Sequence, residues 1–127
     1  MEVKLSALLE SRDALIKLDH TEGLDSVTAY RILKNINEVD KELKIYDEER
    51  VKLLNAYCKK DKDNKPVVKD GFFVLAENSQ KYHSELENLL KESVEIKLKP
   101  VSLESISKAG LSPAQIGSIE YMLETED

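Results

Sequence analysis

A heptad pattern between Ser26 and Lys60 restricts the fold of this chain more than any other feature. Apolar residues recur there at the a and d spacing of a coiled-coil seam, over about four heptads. The pattern predicts one helix of about 33 residues and about 50 Å, capped by Asp25 or Ser26. A compact chain of 127 residues has a radius of gyration near 14 Å, so a second helix or a second copy must cover the apolar stripe. The seam positions are Ala29, Ile32, Ile36, Val39, Leu43, Tyr46, Arg50, Leu53 and Tyr57.

Three further helices are predicted by spacing and caps. Residues 5–16 carry leucine and isoleucine at helical spacing, with a short strand at residues 3–5 as an alternative beginning. A second amphipathic helix follows Asn78 or Ser79, either of which is a good cap. The last helix follows Ser112-Pro113-Ala114-Gln115, which has the residues of a capping box with proline at the first helical position.

Two segments have the features of β-structure. The turn dipeptide Asp70-Gly71 lies between apolar residues 67–68 and 72–75, which predicts a short β-hairpin. Residues 94–98 alternate apolar and charged side chains before Pro100, the period of a strand with one buried face. This strand could join the hairpin as its third strand, because an isolated hairpin is marginally stable in water.

These patterns predict an α+β fold that is predominantly helical and forms a single domain over residues 1–127. A long central helix packs with a second helix, beside a small antiparallel sheet (hairpin and one strand) and a short C-terminal helix. A chain of this length can fold without metal or disulfide. The single cysteine, Cys58, excludes an intramolecular disulfide.

The charge balance argues against direct nucleic-acid binding. The chain has 19 Lys and Arg against 25 Asp and Glu, a net charge of -6, whereas affinity for nucleic acid grows with the number of phosphates that are neutralised. No apolar run approaches the ~20 residues of a membrane helix, and the acidic start is unlike a signal peptide. We therefore expect a cytoplasmic protein that does not enter a membrane.

The acidic turn after the long helix resembles a calcium-binding loop only superficially. Asp61, Asp63 and Lys65 have the spacing of the first ligands. Pro66, however, replaces the glycine of the sharp turn, and Phe72 occupies the position of the closing glutamate. A solvated turn is the favoured interpretation, and no metal is expected.

No other pattern indicates catalysis, so we expect neither an enzyme nor a cofactor. His20 and His83 lack metal-binding spacing and are interpreted as surface residues. Cys58 has no histidine near it in the sequence, which favours a buried or half-buried residue at a helix end over a nucleophile. Neither a glycine-rich phosphate loop nor a nucleophile elbow occurs.

Tyrosine and arginine residues around the heptad seam are candidates for an interface. Tyr46, Tyr57 and Arg50 occupy seam positions, and Tyr30 lies beside them. Packing in the core with the hydroxyls at its rim is the simpler interpretation, but tyrosine and arginine are also enriched where partners bind. The candidate interface comprises Tyr30, Arg31, Ile36, Leu43, Tyr46, Arg50, Tyr57, Phe72 and Phe73.

The order of elements and four sequence stretches carry a resemblance. They are Lys-Asp-x-Asp-Asn-Lys-Pro-Val-Val-x-Asp-Gly at 60–71, Glu-Leu-x-x-Leu-Leu at 85–90, Val-Glu-Ile at 94–96 and Leu-Ser-Pro-Ala-x-x-x-x-Ile-Glu at 111–120. The chain resembles a family of small uncharacterised proteins of phages and prophages of Gram-positive bacteria. The resemblance implies a phage origin and a cytoplasmic role in the infected host cell, and it supplies no catalytic residues. Phe72-Phe73 is more apolar than the family pattern, which leaves a binding role open there.

The leading functional hypothesis is a non-catalytic phage protein that acts by stoichiometric binding and antagonises a host defence factor. In a variant of it, a homo-oligomer sequesters a nucleotide signal molecule with Arg31, Arg50 and stacked tyrosines. The alternative is a virion-assembly or structural accessory protein that self-associates through the long helix. A hydrolase or metalloenzyme is the least favoured class.

Overall fold

The computed structural model describes residues 1–74 and 79–124, apart from the side chains of Phe73 and Ser79, and 61% of it is helical. The predicted fold class, with a long helix packing on others, a small antiparallel sheet and a short C-terminal helix, is confirmed. The elements in chain order are β1 (Glu2–Lys4), α1 (Leu5–Glu10), α2 (Arg12–Asp19), α3 (Ser26–Tyr57), β2 (Val68–Lys69), β3 (Phe72–Phe73), α4 (Ser79–Leu90), β4 (Ser93–Glu95), a 3₁₀ helix (Glu104–Ala109), α5 (Pro113–Ser118) and a second 3₁₀ helix (Glu120–Met122).

The long helix α3 begins where a side chain caps it. The carbonyl of Asp25 accepts a hydrogen bond from the Ala29 N–H at 2.9 Å, and its carboxylate accepts from the N–H and the hydroxyl of Thr28 at 2.9 and 2.8 Å. The bond from the Thr28 N–H, and then the one from its hydroxyl, hold the pKa of Asp25 below its ordinary 3.8. Asp25 rather than Ser26 is therefore the cap. The other predicted cap, Asn78, lies outside the described residues.

The residues form two compact units, Met1–Leu43 with Ser93–Asp127, and Lys44–Glu92. Helix α3 contributes residues 26–43 to the first unit and residues 44–57 to the second. The single domain over residues 1–127 remains a prediction.

In the first unit, strand β1 pairs antiparallel with β4, and Val3 lies opposite Val94. This finding confirms the alternative of a short strand at the start of the chain, over Glu2–Lys4. It also corrects the expectation that the strand of residues 94–98 would join the hairpin. The alternation along β4 predicts that one face is buried, but it carries no information about which edge of which strand will pair with it.

The core of the first unit gathers residues from both ends of the chain. Helix α2 contacts α1, α5 and the first 3₁₀ helix. Gln115 and Ser112 form both bonds of the predicted capping box, with Pro113 at the start of α5. The largest fully buried side chains of this unit are Leu8, Leu18, Leu43, Ile106, Ile119, Met122, Val39, Val101, Asn35 and Ser11.

In the second unit, the predicted hairpin is present as β2 and β3. Val68 lies opposite Phe73, and Asp70 and Gly71 between the strands have φ values of 53° and 82°. These left-handed conformations are those of the tight turn that Asp-Gly favours. Its base is closed by Lys59, whose carbonyl accepts from the Val67 N–H at 2.8 Å. Leu75, at the end of the predicted hairpin, lies outside the described residues.

Candidate protein-binding surface

In the first unit, two of the buried positions of α3 lie one residue before the positions that the heptad pattern predicts. Thr28 and Asn35 are buried, whereas the expected seam residue Ala29 is exposed and Ile36 is half-buried. The d positions Ile32 and Val39 are buried as the heptad pattern predicts. The helix is therefore turned so that two polar side chains replace two apolar ones in its contact with the core. This rotation of the helix lets the Asn35 side chain form hydrogen bonds with the main chain of Lys99.

Asn35 is fully buried and binds both main-chain groups of Lys99, its N–H and its C=O. Its Nδ2 donates to the Lys99 carbonyl at 2.8 Å, and its Oδ1 accepts from the Lys99 N–H at 2.7 Å. The side-chain amide thus replaces the hydrogen bonds of a neighbouring strand, which a buried backbone requires. The heptad pattern does not identify Asn35, because a polar side chain beside an apolar seam predicts a solvated position.

Arg31, a predicted interface residue, binds the same extended segment. Its Nη1 donates to the Pro100 carbonyl at 3.0 Å and lies 3.7 Å from the Glu124 carboxylate. Arg31 is half-buried. Its contacts within the first unit indicate a structural role.

The opposite face of α3 exposes a group of large apolar side chains that we call the outer patch: Val27, Tyr30 and Leu33. Their exposed fractions are 60%, 56% and 51%. They recur every three residues, so they follow one another around the solvent side of two helical turns. The Lys34 Nζ lies 5.7 Å from the centre of the Tyr30 ring, a cation–π distance. Tyr30 is the predicted interface residue that belongs to this patch.

The remaining candidate residues are in different environments. Leu43 and Tyr46 are buried, with exposed fractions of 2% and 4%. Phe72, at the hairpin turn, is 76% exposed, and the Phe73 side chain lies outside the described part. Half-buried residues complete the set: Ile36, Tyr57 and Arg50, whose Nε lies 3.9 Å from Asp47.

The acidic turn and the cysteine have local structural roles. Asp61 Oδ1 accepts hydrogen bonds from the N–H groups of Asp63 and Lys65, at 2.9 and 3.0 Å, so the carboxylate closes its own turn. Cys58 is buried just beyond the end of α3, with its Sγ 3.6 Å from the Asn55 carbonyl. Among the described residues, no group of three or more His, Cys, Asp or Glu side chains is arranged to hold a metal ion.

Both histidines are exposed, as the sequence predicts. His20 Nδ1 lies 2.8 Å from the Ile16 carbonyl at the end of α2. His83 stacks edge-on against Tyr82 with 5.2 Å between ring centres. These contacts are those of surface residues on helices.

No protein family, no curated protein and no solved structure matches this chain. The relationship to phage proteins therefore stays a prediction from the sequence. Within residues 1–74 and 79–124, none of the helices has the length and apolar character that would let it cross a membrane.

Proposed function

We propose that this protein acts by stoichiometric binding of a partner protein, without catalysis, and that the outer patch of α3 is its contact surface. The observation that carries the proposal is the exposure of Val27, Tyr30 and Leu33, each more than half exposed. Burying the exposed half of such a side chain gains roughly 1 kcal/mol. Tyrosine is also among the residues that most often dominate binding energy.

The rim of the patch favours a protein partner over a nucleotide. Lys34 shields one side of the Tyr30 ring and adds one positive charge to an apolar surface. Arg31, which a nucleotide phosphate would need, already binds Pro100 and Glu124. An apolar groove of a protein fits this patch better than a phosphate does.

The resemblance to phage proteins extends the proposal to a host defence factor as the partner. A phage protein in an infected cell meets host proteins that recognise nucleic acid, and the net charge of -6 suits competition for a basic groove. The second candidate is self-association in virion assembly, for which the same exposed face of a long helix would serve.

The test is co-purification from Gram-positive host cells of the wild-type chain and of the variant Tyr30→Glu/Leu33→Glu. We expect one host protein at a fixed molar ratio with the wild type. The variant should lose it, because two carboxylates would have to be desolvated at the contact. Mass spectrometry identifies the partner, and light scattering measures the size of the complex.

Ile16→Glu is the matched control, because Ile16 is exposed to a similar extent, at 57%, but lies on α2. It should retain the partner. Equal recovery of the partner with the double variant would contradict the proposal. Large homotypic assemblies of the wild type that Tyr30→Glu/Leu33→Glu dissolves would favour the assembly function instead.

A further inference from the structure

An apolar hollow opens on the first unit between the first 3₁₀ helix and α5, and we call it the socket. Its volume is about 190 Å³. A cavity of about 150 Å³ can hold a benzene ring, so the socket has room for one leucine side chain. Nothing lies within 4 Å of a Cβ added at Gly110, so there is open space at this residue. The residues that line the socket are Leu103, Ile106, Ser107, Gly110, Leu111 and Ile116.

The rim of the socket carries an exposed leucine. Leu103 immediately precedes the first 3₁₀ helix and is 52% exposed, whereas Ile106, one turn later, is buried. Leu111 and Ile116 are half-buried. One surface therefore presents both an apolar projection and an apolar hollow. In a two-fold symmetric contact, residue i of one copy touches residue j of the other and the reverse, so such a surface can bind a second copy of itself.

The exposed edge of the first 3₁₀ helix lets a second copy approach closely. Side chains three residues apart eclipse one another in a 3₁₀ helix, which places Glu104 and Ser107 on one edge, with Gly110 just beyond its end. All three residues are exposed. Serine is small and glycine has no side chain, so the backbone of a second 3₁₀ helix can lie against this edge.

The two ends of this helix present opposite charges. Glu104 is exposed at its beginning, and at its end the Lys17 Nζ donates to the Gly110 carbonyl at 2.9 Å. In the described part of the chain, neither Glu104 nor Lys17 forms an ion pair. Lys108, on the same helix, donates instead to the Gly23 carbonyl at 2.9 Å. A second copy in antiparallel orientation would bring the Glu104 end of one helix to the Lys17 end of the other.

We propose that this protein forms a two-fold symmetric dimer through this surface. The first 3₁₀ helices of the two copies run antiparallel and cross near Ser107. Leu103 of each copy enters the socket of the other, and Glu104 of each copy pairs with Lys17 of the other. A second copy is the occupant that the surface itself specifies, because it supplies both a leucine for the socket and a carboxylate for Lys17. The dimer contact shares no residue with the outer patch of α3, so this proposal and the proposed function stand or fall separately.

Sedimentation equilibrium of the full-length chain, at concentrations up to about 1 mM, measures the dimer. We expect a reversible equilibrium between monomer and dimer for the wild type. Leu103→Glu should weaken the dimer by about tenfold or more, because a carboxylate would have to be desolvated in the apolar socket. Ile45→Glu is the matched control, because Ile45 is 56% exposed and lies in the second unit. It should dimerise as the wild type does.

An exchange of charges tests the orientation of the two copies. Glu104→Lys alone opposes two cations at each contact and Lys17→Glu alone opposes two carboxylates, so each should weaken the dimer by about tenfold. When these two variants are mixed, every contact again joins a cation and a carboxylate, and a mixed dimer should form about as tightly as the wild-type dimer. Fluorescence anisotropy of one labelled variant, titrated with the other, measures this pairing, which a misfolded variant would not show.

Glu85→Lys is the control for the mixing experiment, because it makes the same change of charge on α4 as Glu104→Lys makes at the dimer contact. Mixed with Lys17→Glu, it should not restore the wild-type affinity, since one of the two contacts still opposes two carboxylates. The proposal is overturned if the wild type stays monomeric at about 1 mM, if Leu103→Glu and Ile45→Glu have the same effect, or if the two charge variants do not pair.

The variant Tyr30→Glu/Leu33→Glu separates this proposal from the proposed function. It should dimerise as the wild type does. Loss of host-protein capture with an intact dimer would support both proposals. Capture by a wild-type monomer would support the outer patch alone, and loss of the dimer in this variant would overturn the dimer contact at the socket in favour of self-association through the outer patch.

Discussion

The segment from Ser93 to Pro100 in the first unit and the β2–β3 hairpin in the second are both short pieces of β-structure, held by different kinds of contact. The hairpin pairs residues that are close in sequence, across the turn at Asp70-Gly71. The Ser93–Pro100 segment depends on residues far along the chain: β1 on one side, and on the other Asn35, which is 64 residues from Lys99. The first structure follows from local backbone preference, and the second from the packing of distant elements.

This difference has an energetic consequence. In the hairpin the critical requirement is conformational, because only glycine adopts a positive φ at little cost. In the Ser93–Pro100 segment it is a pair of part-buried hydrogen bonds to the fully buried Asn35, and a polar group that loses its partner on burial is costly. The same type of secondary structure should therefore respond to different substitutions in the two units.

Asn35→Ala should produce the largest effect. It removes the partners of the Lys99 N–H and C=O, and we expect the free energy of unfolding to fall by about 3 kcal/mol. Urea denaturation measures the loss. Asn37→Ala, two residues along the same helix and exposed, should change stability by less than about 0.5 kcal/mol. Similar values for the two variants would mean that the Asn35 amide does not hold the segment.

Gly71→Ala should have a smaller effect, of about 1 kcal/mol, because alanine is strained at a φ of 82°. Nothing lies within 4 Å of a Cβ added at Gly71 or at Gly117, so neither substitution is limited by space. Gly117 lies inside α5, where alanine should stabilise the helix by about 0.5–1 kcal/mol. Thermal denaturation of both variants should therefore give shifts of opposite sign. Shifts of the same sign would show that the conformation at Gly71 is not what the hairpin requires.

The smallest effect concerns the local cap of α3 and depends on pH. Because the folded-state pKa of Asp25 is lowered, its carboxylate contributes stability that is fully present above the ordinary value of 3.8 and is lost as the pH falls through the folded pKa. Asp25→Asn keeps an oxygen for the cap but does not titrate. The difference in free energy of unfolding between wild type and variant should therefore decrease as the pH is lowered from about 6 to about 2.

An NMR titration of Asp25 checks the cause of this effect. Thr28→Val removes the hydroxyl donor and keeps the N–H, so it should raise the Asp25 pKa toward 3.8 without restoring it fully. A difference between wild type and Asp25→Asn that is constant with pH would contradict the assignment of the cap.

Local signals predicted several elements well. The heptad pattern predicted α3 to within three residues of its end, at Tyr57 rather than Lys60. Asp70-Gly71 predicted the hairpin turn, and the Ser112 sequence predicted the capping box. In each case the residues that form the contact are neighbours in the chain, so the pattern contains both partners.

The candidate surface was only partly predictable. The sequence pattern identifies Tyr30, which is exposed, but it also identifies Leu43 and Tyr46, which are buried. Periodicity identifies a stripe on a helix. Whether that stripe is covered depends on elements that the helix pattern does not contain.

The sequence by itself determined where α3 runs, the capping box of α5 and where the hairpin turns, because these depend on interactions between residues a few positions apart. Only the tertiary structure decided that β4 pairs with β1, that Asn35 enters the core in place of an apolar seam residue, and that Val27, Tyr30 and Leu33 face solvent. The physical reason is that a buried peptide group must find a hydrogen-bond partner wherever the packing brings one. At Lys99 that partner was a polar side chain 64 residues away.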